Sequence, residues 1–248
     1  AAHRRDFDEL FHQHPDVREL HRLPPRLQQY ASKITDMGAK VELVVQNETL
    51  GLGHAVLVAE GAPSADEPVW LMLGDHFYRS PSAAGRSCVG QLLDAYRGVP
   101  LMALQRTPEA SVAQYGCATG KWDNSSGGGQ AAPVPLSRLS ITSLVEKPTT
   151  EFARANLKTP GLPPGTYLTA FGLYILTEVG TVLESLRAKA TASAAAAGGG
   201  GEATKVGFTP ELDALRRQLG LEGVLLEGVR YDVGGEPESW LNALDLRR

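Results

Sequence analysis

A glycine turn and a long apolar run occupy residues 46–75, and together they predict a strand–helix–strand unit. The segment VELVVQ (41–46) is typical of a strand, Gly51-Leu52-Gly53 of a turn and HAVLVAEG (54–61) of a helix. The next run, VWLMLG, is apolar throughout, as in a parallel strand that is covered on both faces. A right-handed crossover then places the turn and Asp75 at one sheet edge, where open α/β sheets bind ligands.

The composition limits the classes of function. The 248 residues, 42% of them hydrophobic and 21% charged, suit one globular α/β domain. A net charge of −4 gives no general attraction to nucleic acid or to an anionic membrane, so phosphate binding has to be local. No apolar run has the length of a membrane span, and no secretion signal opens the sequence. We therefore expect a cytoplasmic or plastid-stromal protein.

Helical and strand patterns alternate along the remaining sequence, which extends the doubly wound prediction. Helices are expected within 1–35, with an interruption at Pro24-Pro25, and at 88–97, 108–114, 151–157, 210–219 and 237–246. Strands are expected at 100–107, 117–123, 138–147, 166–176 and 224–234. Two compositionally biased inserts, 124–136 and 189–204, predict a hairpin-tip loop and a flexible insertion.

Two aspartates follow predicted strands. Asp75 ends an apolar strand and Asp232 ends the last predicted strand. A carboxylate at such a position has to be solvated, paired or metal-bound, because an unpaired buried charge is very costly. Mg²⁺ favours one or two carboxylates together with substrate phosphates, so the pair suits a phosphate-bound Mg²⁺. A role for Asp75 as the cap of the next turn remains an alternative.

Three further polar residues are candidates for substrate contacts. Glu146 and Lys147 precede Pro148, which favours an extended backbone and directs the two side chains to opposite sides. One side then offers a carboxylate to hydroxyl groups and the other an ammonium group to phosphates. The Gln46 amide suits the donor–acceptor edge of a pyrimidine base. An exposed Glu–Lys pair and a polar strand end are the simpler alternatives.

Several motifs carry a family resemblance. The pattern Q-x4-GLGHAVL with a strand ending in L-G-D resembles the sugar-phosphate nucleotidyltransferases, most closely the bacterial and cyanobacterial-type UTP:glucose-1-phosphate uridylyltransferases. The resemblance implies a Rossmann-like three-layer αβα (GT-A-like) fold with a mixed, mainly parallel sheet. Further matches follow in the family's order at Tyr115-Gly116, Val145–Pro148, Phe171–Tyr174 and Arg230–Gly234.

The resemblance also implies an activity and the residues that perform it. With Mg²⁺, UTP and glucose 1-phosphate would yield UDP-glucose and pyrophosphate. The protein is also a candidate for homo-oligomer formation. The implied roles are base binding by Gln46 and Gly51, sugar binding by Gly116 and Glu146, sugar-phosphate binding and catalysis by Lys147, and metal binding and catalysis by Asp75 and Asp232.

Two departures from the family pattern lead to further expectations. The glycine-rich loop G-x-G-T-R-x-x-P does not occur before Val41, so we expect residues 1–248 to be one nucleotidyltransferase domain that lacks its first strands and belongs to a longer protein. This part alone is then expected to be inactive.

The second departure is Phe208, which stands where the family has an acidic residue in G-E-x-Q-L-T-D. Thr209 and Pro210 are interpreted as the N-cap and first residue of a helix, without a substrate role. The alternatives to uridylyl transfer are a nucleotidyltransferase for another sugar or base, and a non-catalytic regulatory subunit that binds a nucleotide sugar.

Overall fold

The structure, a computed structural model, describes residues 2–13, 21–61, 67–80, 85–123, 135–198 and 204–234. Close contacts group the chain into two compact units. Unit 1 comprises the described residues of 1–62 and 190–206, and unit 2 those of 63–189 and 207–248. That the whole chain is one domain stays a prediction.

The described residues of unit 1 include the helices α1 Ala2–His12, α2 Pro25–Gly38 and α3 Leu52–Val58. The predicted interruption at the prolines is confirmed, because Pro24 is the N-cap of α2 and Pro25 lies in its first turn, where the absent N–H costs nothing. The predicted helix after the glycine turn is also confirmed.

The strand predicted at residues 41–46 is wrong, since none of these residues is assigned to a strand. Val41 instead accepts a hydrogen bond at its carbonyl from Nε2 of His12 (2.9 Å). A strand requires a neighbour that completes its hydrogen bonds, and none of the described strands pairs with this segment.

Unit 2 is built on two sheets. Within the described ranges, the larger sheet has the order β1-β6-β3-β7-β5-β4, with β4 also pairing with β6, and a smaller sheet pairs β2 with β8. The strands are β1 Val69–Met72, β2 His76–Arg79, β3 Leu101–Pro108, β4 Cys117–Trp122, β5 Arg138–Val145, β6 Thr166–Leu176, β7 Glu222–Leu225 and β8 Val229–Asp232.

Helices separate several of these strands. They are α4 Cys88–Ala95, a 3-10 helix Glu109–Gln114, α5 Thr150–Asn156, α6 Val179–Gly198 and α7 Thr209–Leu219. Side-chain caps begin two of them: Ser87 accepts a hydrogen bond from Gly90 N–H at α4, and Thr149 accepts one from Phe152 N–H at α5.

The predicted α/β class with a mixed sheet is confirmed. Among the described strands, however, only β3 and β7 pair in parallel, and the expected predominance of parallel pairing is absent from this part of the sheet. The reason is β6, an eleven-residue strand that runs antiparallel to β1, β3 and β4. The predicted antiparallel ribbon of β4 and β5 is confirmed.

The prediction that β1 is covered on both faces is wrong. Its side chains alternate between half-buried and exposed, and Trp70 and Met72 are 36% and 50% exposed. β1 lies at the edge of the described sheet, so its apolar sequence does not by itself ensure burial on two faces.

The strand predicted at 224–234 is two strands. β7 joins the large sheet beside β3, and β8 joins β2, with Gly228 between them at φ +151°. This division matters for the site, because it turns the chain from the core sheet toward Asp75.

The insertion predicted at 189–204 is partly wrong. Helix α6 continues through Gly198, so the alanine-rich part is helical, in accord with the high helix propensity of alanine. Residues 199–203, residues 124–134 of the predicted hairpin-tip loop and the helix predicted at 237–246 lie outside the described residues.

The main core of unit 2 lies beneath α4, where this helix covers β3, β6 and β7. No helix in the described ranges is both long and apolar enough for a bilayer crossing. The buried core residues are Cys88, Leu92, Leu101, Ala103, Phe171, Leu173, Ile175, Val224 and Leu226, with Tyr78 packed against them.

Candidate active site

The pairing of β2 with β8 brings the two predicted aspartates together. His76 lies opposite Asp232 in the register, and Asp75 immediately precedes β2. The Val233 N–H donates a hydrogen bond to the Asp75 carbonyl (2.9 Å), which fixes the backbone at the strand end. Candidate ligand atoms of Asp75, His76 and Asp232 all lie within 4.8 Å of one another.

A glycine permits this close approach. A Cβ atom on Gly234 would lie 2.2 Å from Oδ2 of Asp75, which is far inside a normal contact distance. The Gly234 N–H also donates to Oδ1 of Asp232 (3.1 Å). Gly234 therefore leaves room for one carboxylate and orients the other.

His76 is the residue of this cluster that the sequence interpretation did not include among the candidate ligands. Its Nε2 lies 3.5 Å from Oδ2 of Asp232 and 3.8 Å from Oδ1 of Asp75, and only 6% of its side chain is exposed. Burial, followed by the nearby charge of Arg230, lowers the pKa of His76. Burial thus disfavours the charged imidazolium form. The position of His76 next to Asp75 in the sequence was the available signal.

Tyr78 and Gly172 support the imidazole from the opposite side. Tyr78 donates from its hydroxyl to the Gly172 carbonyl (3.1 Å), and the same hydroxyl lies 3.3 Å from Nδ1 of His76. A Cβ on Gly172 would lie 2.2 Å from that Nδ1, and Gly172 has φ +89°. The close approach expected at this strand glycine is thus made by His76 and Tyr78.

The donor set fits a divalent cation. Two carboxylates can supply negative charge, and the imidazole can supply a nitrogen ligand. Within the described residues, this is the group in which three such side chains lie close enough to share one ion.

A second cluster contains Gly116, Glu146 and Thr209. A Cβ on Gly116 would lie 3.2 Å from Oε2 of Glu146 and 3.4 Å from Oγ1 of Thr209. Thr209 donates from Oγ1 to Oε2 of Glu146 (2.5 Å). The structure therefore places the two predicted sugar-binding residues side by side and adds Thr209 to them.

Thr209 does not have the role that the sequence suggested. The N-cap of α7 is Phe208, and Thr209 is the first helical residue. Its hydroxyl forms a hydrogen bond with Glu146, which is distant in sequence, instead of capping its own helix. A threonine at a helix start is usually explained by capping, so the long-range contact was not predictable from the sequence.

Lys147 departs from the predicted extended conformation. Its φ is +44°, a left-handed value that is uncommon for a side chain with a Cβ, and its N–H donates to the Tyr115 carbonyl (3.2 Å). Local preference before Pro148 is overridden here by the sharp turn from β5 toward α5. Glu146 and Lys147 are both exposed.

Arg230 lies beside both clusters of unit 2. Its guanidinium carbon is 4.0 Å from the centre of the Tyr115 ring, and it donates to the Ala170 carbonyl. Ala170 in turn donates its N–H to the Gly116 carbonyl (2.8 Å). Ala170 of β6 thus contacts the Gly116 cluster. Gly172, on the same strand, contacts Tyr78 and lies against His76. The sequence motif contained Arg230, but no role was predicted for it.

Gln46 and Gly51 contact each other within unit 1. Gln46 donates from Nε2 to the Gly51 carbonyl (3.2 Å), and the same atom lies 3.0 Å from Nδ1 of His54. Gly51 has φ +95°, and the Gly53 N–H donates to the Val206 carbonyl (3.0 Å). The glycine turn thus holds the predicted base-binding amide and adds His54 to its surroundings.

Comparison with known families assigns the class of protein. The profile of the family described as Nucleotidyl transferase matches residues 20–203, and the chain belongs to this family. Enzymes of this family generally use a divalent metal ion.

A curated relative narrows the similarity. The chain is 30% identical over 205 residues to a Bacillus subtilis (strain 168) protein named UTP--glucose-1-phosphate uridylyltransferase YngB. This match covers 82% of the chain and 56% of the relative, so the chain spans little more than half the relative's length.

Solved structures support the fold. An apo UDP-glucose pyrophosphorylase is similar with a TM-score of 0.72 at 20% identity, over 98% of this chain and 77% of that one. A UDP-glucose pyrophosphorylase complexed with UDP-glucose gives 0.64 at 22% identity, over 94% and 77%. A UTP-bound enzyme from Acinetobacter baumannii gives 0.63 at 17% identity, over 98% and 72%. The predicted resemblance and fold class are confirmed.

Proposed function

We propose that the protein to which this chain belongs is a nucleotidyltransferase that converts UTP and glucose 1-phosphate into UDP-glucose and pyrophosphate. The observation that carries the proposal is the convergence of Asp75 and Asp232 at paired strand ends, with their ligand atoms within 4.8 Å. The named activity of the Bacillus relative supports this choice of substrates.

Mg²⁺ is the ion that we propose for the site in this reaction. Asp75 and Asp232 would hold it, and when bound it would neutralise phosphate charge. The fit of Gly234 against Asp75 supports the assignment, because a larger residue would displace that carboxylate.

The chain's own residues contribute mainly by positioning. The reaction is an in-line attack of a sugar-phosphate oxygen on the α-phosphorus of UTP, without a protein nucleophile, so orientation and charge complementarity provide most of the acceleration. We assign acceptance of sugar hydroxyl hydrogen bonds to Glu146, close backbone approach to Gly116 and hydrogen bonding to the sugar phosphate to Lys147. Thr209 orients the Glu146 carboxylate.

In unit 1, we assign uracil recognition to Gln46 and Gly51. The hydrogen bond between them fixes the amide plane, which is the property that recognition of a base edge requires. His54 contributes to this fixed orientation through its Nδ1.

The decisive experiment is replacement of Asp75 by Asn in the full-length protein, with UDP-glucose and pyrophosphate measured. Turnover is expected to fall below detection while the circular dichroism spectrum stays unchanged. Asp94→Asn is the matched control, because Asp94 is an exposed aspartate whose partner is Arg86, and it should retain turnover. Wild-type turnover in the Asp75 variant would overturn the assignment.

A substrate panel tests the base and the sugar. UTP, dTTP and CTP at equal concentrations, each with glucose 1-phosphate and then with other sugar 1-phosphates, should show the highest rate for UTP and glucose 1-phosphate. Binding of UDP-glucose without any release of pyrophosphate would instead identify a regulatory subunit. A cytoplasmic or plastid-stromal location and homo-oligomer formation stay predictions.

A further inference from the structure

The His76 side chain has an unusual position between two acidic groups. Its Nε2 faces Oδ2 of Asp232 at 3.5 Å and Oδ1 of Asp75 at 3.8 Å, both longer than the usual range for a hydrogen bond. The ring is almost fully buried, with 6% of the side chain exposed. The imidazole therefore points its Nε2 edge at both carboxylates without a close hydrogen bond to either.

Tyr78 contacts the other ring nitrogen, Nδ1. Its hydroxyl hydrogen is used in the bond to the Gly172 carbonyl, so toward Nδ1 of His76 the same oxygen serves as an acceptor. In the tautomer with Nδ1 protonated toward this oxygen, Nε2 carries the lone pair. That lone pair and the two carboxylates then face one point, which is the arrangement that shared ligation of a cation requires.

We propose that His76 is a third protein ligand of the metal site, bound through Nε2, and that it raises the site's affinity for Mn²⁺ and Co²⁺ relative to that for Mg²⁺, the ion proposed for the reaction. This inference rests on the proposed function, because it assumes that Asp75 and Asp232 hold the ion. Tyr78 acts as the positioning residue that fixes the tautomer.

The selectivity follows from ligand chemistry. Mg²⁺ binds oxygen donors and keeps several waters, and it gains little from an imidazole. Imidazole nitrogen is a usual ligand of first-row transition-metal ions, among which Co²⁺ lies above Mn²⁺ in the general order of affinity, and carboxylate and water ligands also suit Mn²⁺. A site with two carboxylates and one imidazole is consequently better suited to these ions than a site with two carboxylates alone.

The test uses the full-length protein with Mn²⁺ alone, in the absence of nucleotide. Pulsed electron paramagnetic resonance should show coupling of bound Mn²⁺ to a ¹⁴N nucleus. His76→Asn should abolish this coupling, because the shorter amide retains a donor toward Tyr78 but has no group at the Nε2 position. His12→Asn is the matched control, since His12 also lies beside a carboxylate, that of Asp8, but outside the cluster. It should leave the coupling unchanged.

Titration calorimetry gives a second measurement on the same variants. His76→Asn should weaken Mn²⁺ binding by about tenfold or more and change Mg²⁺ affinity by less than about twofold. Tyr78→Phe should weaken Mn²⁺ binding by about tenfold without changing the ligand set. The proposal stays testable if His76→Asn fails to fold. It is overturned if wild-type Mn²⁺ shows no ¹⁴N coupling, and also if Tyr78→Phe binds Mn²⁺ with unchanged affinity.

The two proposals fail separately. If the protein binds Mn²⁺ through a nitrogen ligand but does not transfer uridylyl groups, the role of His76 stands and the proposed reaction is wrong. If the protein transfers uridylyl groups but its bound Mn²⁺ shows no ¹⁴N coupling, the proposed reaction stands and the role of His76 is wrong.

Discussion

Thr209 donates a hydrogen bond from Oγ1 to Oε2 of Glu146 across 2.5 Å, and this contact connects the start of α7 to the end of β5. A hydrogen bond to a charged group typically contributes about 1.5–3 kcal/mol. Thr209→Val keeps the shape of the side chain and removes the donor. We therefore expect the KM for glucose 1-phosphate to rise about tenfold with little change in the KM for UTP.

Thr209→Ser is the conservative control, because it retains the hydroxyl, and it should restore most of the affinity for glucose 1-phosphate. Equal KM values in the valine and wild-type proteins would show that Glu146 does not depend on this contact.

Gly234→Ala tests the close approach at the proposed metal site. The added Cβ would lie 2.2 Å from Oδ2 of Asp75, so the carboxylate has to move. Mn²⁺ affinity, measured calorimetrically, should fall by about tenfold or more, as for other losses of ligand orientation. Gly180→Ala is the control, since a Cβ at this helical position meets nothing within 4 Å. That variant should bind Mn²⁺ normally, and a similar loss of affinity in both variants would contradict the prediction.

Lys147 allows stability and activity to be separated. Lys147→Gly and Lys147→Ala both remove the ammonium group, so both should lose turnover. The left-handed φ of +44° costs an alanine about 1 kcal/mol that glycine does not incur. The glycine variant should therefore be as stable as the alanine variant or more so, although glycine usually lowers stability. Urea unfolding measures the difference, and a glycine variant less stable by about 1 kcal/mol would refute the strain.

The two cysteines should react slowly with thiol reagents in the native protein. Cys88 and Cys117 are free and buried, and burial raises the pKa of both thiols, that of Cys117 to about 12. A raised thiol pKa keeps the unreactive protonated form dominant at neutral pH, and the thiolate fraction increases only as the pH approaches that value. Labelling with Ellman's reagent at pH 8 should be slow until guanidinium unfolds the chain. Rapid labelling of both thiols without denaturant would contradict this.

Much of unit 2 is predictable from sequence, because its signals are local. The strand predicted at 166–176 has the observed bounds of β6, and the ribbon of β4 and β5 follows from two β-rich segments around a turn-rich loop. Asp75 and Asp232 were predicted as strand-end carboxylates, and the pairing of β2 with β8 places them together. Their role as metal ligands stays a proposal.

The missed features depend on contacts between distant residues. His76 follows Asp75 in the sequence, but its position next to Asp232 and Tyr78 arises from sheet register, which no local signal predicts. The left-handed conformation of Lys147 contradicts the local preference before proline and depends on its bond to Tyr115. Burial of β1 was overestimated for the same reason, because an apolar strand does not specify what covers it.

The pairing of β2 with β8 has a consequence for biosynthesis. Asp75 and His76 leave the ribosome long before Asp232 does, and the chain emerges from its N-terminal side at about 5–20 residues per second. A nascent chain that ends before Val229 contains most of the large sheet but has no partner strand for β2. The cluster of Asp75, His76 and Asp232 therefore forms only at a late stage of translation, and products that end before Asp232 lack it.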